Sequence, residues 1–368
     1  MTLFAFDTPM PGKNIVTLAL DVMGTDNGPG NVVSGAITAA REFGPDTKIV
    51  LVGRSKAIAA ELKKCRDVPA TIEMHHADEE VKMTDSPADA VRRRNTSIAE
   101  AVRLHKEGIV DAVVSPGNTG AVMGTAMLNL GRLQEVKRPA IASFFPSIDK
   151  RWTVLLDVGA NSDCKPLNLY QFAIMGTIVS SHLFGNDHPR VGLLSIGEEK
   201  GKGNELTLET FPLLAANPAL NFVGNIEGRD ILMGKVDVVV SDGFVGNVVL
   251  KFAESIEGFL TTSIKRQVSS NLFSRMGALL MSPFLRRLRN TFDYSEYGGA
   301  PLLGVNGICI ICHGGSSSKA ICQALTVARN MVHSQVNQKI ETELAAGDKG
   351  KAAAVDYHIN GDTIGNGR

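Results

Sequence analysis

Five polar, glycine-rich turns carry the residue types from which anion chemistry is built. Leu20-Asp21 runs into Val-Met-Gly-Thr-Asp26, and Val114-Ser115 into Pro-Gly-Asn118-Thr119-Gly120. Leu156-Asp157 leads to Val-Gly-Ala-Asn161, Val240-Ser241 to Asp242-Gly-Phe-Val-Gly-Asn247, and Cys312 to His313-Gly-Gly-Ser316. Each follows a short apolar run, so each sits where a strand ends, and open α/β sheets bind ligands outside the carboxyl ends of their strands. Glycine lets a ligand approach the backbone, and a helix starting just beyond offers unpaired N–H groups to an anion. Any one of these turns alone reads as a connection with a cap residue; five together point to an anion site. A sixth stretch, Gly197-Glu-Glu-Lys-Gly-Lys202-Gly-Asn204, reads either as a solvated loop or as a lid. As a lid it carries Lys202, a flexible point charge, over a phosphate or oxyanion.

Several other anion chemistries are disfavoured. The P-loop pattern Gly-x-x-x-x-Gly-Lys-Ser/Thr is absent, and the glycines at 24, 28 and 30 do not form the dinucleotide fingerprint. Without Gly-x-Ser-x-Gly, His313-Gly-Gly gives little support to a hydrolase oxyanion hole. Cys309-Ile-Ile-Cys312 has ligand-like spacing but no second pair, and in a strand the two thiols point to opposite faces. No metal site and no cofactor is expected. His75-His76 reads as part of a half-exposed strand, and Arg92-Arg93-Arg94 as a solvated helix face.

The elements that position these turns are legible from periodicity. Ile15–Leu20, Ile49–Val52, Val110–Val114, Thr153–Leu156, Val191–Leu194, Val236–Val240 and Ile308–Ile311 are apolar on both faces, as buried parallel strands are. Helical stretches such as Ala88–Glu107, Leu167–Phe184 and Val248–Phe259 alternate with them. The predicted fold is α/β: a mostly parallel, Rossmann-like sheet in a three-layer α/β/α arrangement. One domain is expected over 15–340, after an N-terminal extension (1–14) and before a poorly ordered tail (341–368).

Residues 260–292 break the alternation. Leu272, Met276, Leu279, Leu280, Phe284 and Leu288 follow helical spacing interrupted at Pro283. Lys265, Arg266, Arg275, Arg286, Arg287 and Arg289 accompany them, with no acidic residue between Lys265 and Asp293. A protruding amphipathic helical hairpin is predicted, either packing on the core or a second subunit, or meeting an anionic membrane or acidic partner. Over the whole chain 38 basic side chains balance 38 acidic ones, which excludes a broad electrostatic field for nucleic acid. The cysteines read as reduced thiols of a cytoplasmic protein, and no apolar run is long enough to span a bilayer.

Taken together, the strand-end motifs resemble the bacterial PlsX family, the acyl-carrier-protein:phosphate acyltransferases of phospholipid synthesis. Leu20-Asp-Val-Met-Gly-Thr-Asp26, Ser115-Pro-Gly-Asn-Thr-Gly-Ala121 and Asp157-Val-Gly-Ala-Asn161 carry the resemblance. So do Gly197-Glu-Glu, Lys202-Gly-Asn204, Ser241-Asp-Gly-Phe-Val-Gly-Asn247 and Tyr297-Gly-Gly-Ala-Pro-Leu-Leu-Gly304. The match runs in family order over residues 15 to 335. Thr25 stands where the family has glycine and Pro116 where it has alanine, and His313-Gly-Gly-Ser is a variant of its His-Gly pattern. The resemblance implies attack of inorganic phosphate on a long-chain acyl-carrier thioester, giving acyl phosphate without a covalent enzyme intermediate. Phosphate is then itself the nucleophile, in keeping with the lack of a recognisable Ser or Cys nucleophile.

By resemblance, Lys202 and Asn247 serve the reacting phosphate or oxyanion, and Asp242 or His313 manages a proton. Asn118, Thr119, Gly120 and Asn161 bind phosphate, while Asp21 and Asp26 orient donors. Leu272, Leu279, Leu280, Phe284, Arg286 and Arg287 would meet a membrane or the acyl-carrier protein. A homodimer, peripherally bound to the inner face of the cell membrane, is implied. The alternatives are a phosphotransacetylase-like enzyme using short acyl groups on coenzyme A, and a non-catalytic membrane-surface scaffold.

Overall fold

A computed structural model describes residues 15–268, 276–282, 284 and 298–346. Eleven strands form one sheet: β1 (Val16–Asp21), β2 (Thr47–Gly53), β3 (Ile72–His76), β4 (Ala112–Ser115), β5 (Ala140–Pro146), β6 (Trp152–Leu156), β7 (Arg190–Leu194), β8 (Asn221–Ile226), β9 (Val238–Val240), β10 (Ala300–Leu303) and β11 (Cys309–Ile311). Their spatial order is β3-β2-β1-β4-β11-β10-β5-β6-β9-β7-β8. The outer groups β3-β2-β1-β4-β11 and β6-β9-β7-β8 are each parallel. Between them β10 runs antiparallel to both its neighbours, and β5 antiparallel to β6. The two parallel groups therefore run in opposite senses, and β5 belongs to both. Its first two residues pair with β10, and Ala142 to Pro146 pair with β6.

The helices are α1 (Gly30–Phe43), α2 (Ser55–Leu62), α3 (Pro87–Ala90), α4 (Ser97–Lys106), α5 (Thr119–Leu130), α6 (Pro166–Phe184), α7 (Glu205–Ala215) and α8 (Gly243–Val268). They are followed by a short helix α9 (276–282), α10 (Ser318–His333) and α11 (336–346). One face of the sheet is covered by α1, α6 and α10 and the other by α4, α5 and the first turns of α8, each burying its own apolar cluster. Period-two alternation divides each strand between the two: Leu18 and Leu20 enter one cluster, Ala19 the other. Cys312 and Cys309 divide likewise, as their spacing in an extended run predicts.

The three-layer α/β expectation holds, with four differences in its parts. Ala88–Glu107 is two helices, broken at 91–96, because the Thr96 hydroxyl accepts the Ala99 amide and starts α4 afresh. Arg92, Arg93 and Arg94 thus lie in a turn, where Arg93 reaches the Asp85 carboxylate at 2.5 Å. β5, β8 and β10 lie where the sequence reading placed no strand. The first residues of the predicted 260–292 hairpin are the last turns of α8, which runs unbroken from Gly243 through Val268. Lastly, the expected loose tail is helical over 341–346, because Val336, Ile340 and Leu344 form a buried stripe at four-residue spacing. The rest of that tail, the extension 1–14, and Leu272, Arg286 and Arg287 lie outside the described residues.

Candidate active site

The turns after β1, β4 and β11 form one cluster. Asp21, wholly buried at the end of β1, accepts the Met23 amide through Oδ1 and the Ser115 hydroxyl through Oδ2 at 2.7 Å. Burial pushes its carboxyl up to about 6, against the lowering effect of those hydrogen bonds. Ser115 in turn accepts the Gly117 amide. In the turn after β1 the left-handed residue is Gly24, φ 71°, where a Cβ would lie 2.5 Å from the Val81 carbonyl oxygen. Thr25 therefore needs no positive φ, which is why a β-branched residue is accommodated there. The exposed Asp26 donates its amide to the Gly314 carbonyl, tying this turn to the one after β11.

Asn118 caps α5: its Oδ1 accepts the Ala121 amide, and its Nδ2 donates to the carbonyls of Met83 and Asp85. Its side chain thus builds the loop and presents the first turn of α5. The amides of Thr119 and Gly120 open that turn and have no intrahelical partner. His313 is exposed, and its Nδ1 accepts the Gly315 amide at 3.0 Å. With Nδ1 accepting, the neutral ring carries its proton on Nε2.

A second cluster forms after β6 and β9. Asp157 is buried and its two oxygens gather four main-chain amides, from Ile141, Gly159, Ala160 and Asn161, together with the Asn161 side-chain amide. Burial raises its carboxyl above the ordinary range while these donors oppose the shift. Asn161 Nδ2 also donates to the Pro139 carbonyl, so both of its amide hydrogens are already used. Asp242 caps α8, accepting the amides of Phe244 and Val245 at 2.9 Å each. α8 approaches the Asp157 turn closely: a Cβ at Gly246 would lie 1.8 Å from the Asp157 carbonyl oxygen. One turn into the helix, Asn247 is exposed, and its Oδ1 lies 3.7 Å from where a Cβ on Gly159 would be.

A cavity of about 820 Å³ joins the clusters. Thr119, His313 and Ser316 line it from one parallel group, Val158, Gly159 and Asn247 from the other. Beyond them its wall is mainly apolar, with Ile141, Phe145, Leu232, Leu250, Ala253 and Ile256. Lys202 is exposed on the loop after β7 and is not part of this lining. That loop is anchored through its main chain, the Lys202 carbonyl accepting from Ser195 Oγ at 2.9 Å and from Asn225 Nδ2. Asp157 is the organising residue of this cluster, one that the sequence motif contains but to which sequence reasoning gave no role; its signal is a carboxylate at a strand end followed by glycine and asparagine. Among the described residues no group of three or more His, Cys, Asp or Glu side chains forms a metal site.

The fold defines the class first. A EutD phosphotransacetylase from Staphylococcus aureus superposes with a TM-score of 0.59 at 16% identity, covering 87% of this chain and 95% of that one. A phosphotransacetylase from Streptococcus pyogenes gives 0.59 at 17% identity, covering 89% and 96%. The architecture is thus the α/β fold of the phosphotransacetylases. Sequence similarity is narrower. The family model described as fatty acid synthesis protein matches residues 16–339. A phosphate acyltransferase of Geobacter sulfurreducens is 48% identical over 334 residues, covering 89% of this chain and 95% of the relative. One from Heliobacterium modesticaldum is 50% identical over 317 residues, 86% of this chain and 93% of its own. The chain belongs to this family of acyltransferases, the PlsX family.

Proposed function

We propose that the enzyme transfers a long acyl chain from an acyl-carrier-protein thioester to inorganic phosphate, with no acyl-enzyme intermediate. The observation that carries this reading is the cavity, whose lining joins the polar turns at Thr119, Gly159, Asn247 and His313 to a mainly apolar wall. Phosphate would sit between the opening amides of α5, at Thr119 and Gly120, and the side of α8 that carries Asn247. A phosphate oxygen attacks the thioester carbonyl, forming a C–O bond; the tetrahedral oxyanion then expels the carrier as thiolate, which takes up a proton. Asn247 Nδ2 and His313 Nε2–H are the donors suited to the oxyanion or the departing sulfur. Asn118, Asn161, Asp21, Asp26 and Asp242 act through the turns they hold rather than on phosphate. Lys202 adds its charge when the 197–204 loop folds inward.

The reading that short acyl groups arrive on coenzyme A draws on the phosphotransacetylase fold alone, and the apolar wall argues against it. Purified protein incubated with a long-chain acyl carrier and phosphate is expected to release carrier thiol in proportion to phosphate. Release without phosphate, or none, overturns the proposal. Comparing kcat/KM for the carrier and coenzyme A donors decides between the two readings.

The outer surface suits a product that leaves for a membrane. Phe244, Val248, Phe252 and Phe259 fall within one face of α8 and are all exposed, a stripe suited to a second copy of the chain. On α9, Met276, Leu279, Leu280 and Met281 are exposed, as is Phe284 just beyond, a surface suited to peripheral insertion at an anionic bilayer. No described helix is long and apolar enough to cross a membrane.

A further inference from the structure

The cavity has a direction and an open end. It follows β5 from Ile141, whose amide is held by Asp157, past Phe145 to Ile148 in the turn beyond. It also follows α8 from Asn247 through Leu250 and Ala253 to Ile256. The segment after β8 closes its side with Leu232, whose carbonyl accepts the Ile148 amide. At the end remote from Asn247 two large apolar side chains stand in solvent, Ile148 at 75% exposure and Met233 at 56%.

We propose that this cavity is an open-ended groove for the donor's acyl chain, with Ile148 and Met233 at its mouth, so that chain length is read as a minimum and not as a maximum. The proposal rests on the reaction given above and adds where the chain lies and how its length is sensed. From Ile141 to Pro146 the strand advances about 17 Å at roughly 3.3 Å per residue. An extended alkyl chain advances about 1.3 Å per carbon, given C–C bonds of about 1.5 Å. The wall along β5 therefore covers about 12 or 13 carbons, and longer chains emerge between Ile148 and Met233. Each methylene added inside the groove removes apolar surface from water; each added beyond the mouth gains little.

The test is a chain-length series of acyl-carrier donors from six to eighteen carbons, run on wild type, Ala253→Phe and Leu232→Trp. The two variants narrow the groove from two different elements, α8 and the segment after β8. For wild type, kcat/KM is expected to climb up to about 12 carbons and then level off. In each variant the sixteen-carbon donor is expected to lose about 30-fold or more while the six-carbon donor stays within about 3-fold. Retained six-carbon turnover also shows that the variants fold. Long-chain turnover unchanged in both, or a wild-type optimum that falls sharply beyond one length, overturns the groove while leaving the reaction intact. Wild type that forms no acyl phosphate from any donor overturns the reaction itself.

Discussion

At the residue scale, burial of Asp21 couples the stability of the fold to pH. Asp21 titrates near 6 in the folded chain, above its ordinary 3.8, so the folded state binds that proton more tightly than the unfolded one. Its contribution to stability is then greatest below about pH 4, declines as pH rises to 6, and is constant above. Asn in its place keeps one acceptor and does not titrate. The stability of wild type relative to Asp21→Asn is expected to fall by about 2 to 3 kcal/mol between pH 4 and pH 7, read by urea unfolding at each pH. A difference that stays level would mean that Asp21 ionises normally. Asn247 and Lys202 separate two kinds of charge stabilisation, because only Asn247 lines the cavity in this conformation. Asn247→Ala is expected to lower kcat about 10²-fold with little change in KM, the loss typical of a single oxyanion donor. Lys202→Ala should lose as much if its loop closes over the reacting centre, and unchanged turnover would leave Lys202 a surface charge. The residue types of the site were readable from their strand-end positions. The amides of Asn118 and Asn161 are spent on structure: on the carbonyls of Met83, Asp85 and Pro139, contacts too distant in sequence for spacing to reveal, and, for Asn161, also on Asp157 within its own turn.

At the element scale, the contact between α8 and the turn after β6 fixes Asn247 relative to Gly159. Gly246 makes that contact possible, since any Cβ there collides with the Asp157 carbonyl. Gly246→Ala is expected to push the start of α8 away, costing about 1–3 kcal/mol of stability and lowering kcat more than the stability loss alone explains. Thermal unfolding and steady-state kinetics on one preparation check both; wild-type values for each would show that the helix relaxes freely. The strands carrying the polar turns were legible because they are short apolar runs buried on both faces. β5 was not, since Ser143 interrupts Ala-Ile-Ala-Ser-Phe-Phe-Pro and prolines bracket it at 139 and 146. β8 was hidden by half-exposure and by Gly224, an edge strand with one polar face. Yet β5 is the element along which the cavity runs, so the wall of the site was less readable than its chemistry.

At the scale of the whole molecule, apolar side chains are divided between a buried interior and an exposed helical surface. The interior carries the two apolar clusters, while large apolar side chains recur outside on α8 and α9. Leu280 is 84% exposed and Leu279 75%, and Met276 and Met281 extend the same apolar surface. Single exposed apolar residues are ordinary, but a cluster of this kind marks a surface made to be covered. If a bilayer covers it, burying Leu280 alone contributes about 1.5–3 kcal/mol, and anionic headgroups add attraction for the basic residues that the sequence concentrates between Lys265 and Arg289. Wild type is expected to float with vesicles containing anionic lipid and to float less with neutral ones. Leu280→Glu should cut recovery with the anionic vesicles at least about tenfold while leaving turnover of a soluble acyl carrier unchanged, since Leu280 is no part of the cavity. Equal flotation of the two proteins would assign α9 to a protein partner, and a variant that stays bound but loses dimerisation would assign it to the second copy.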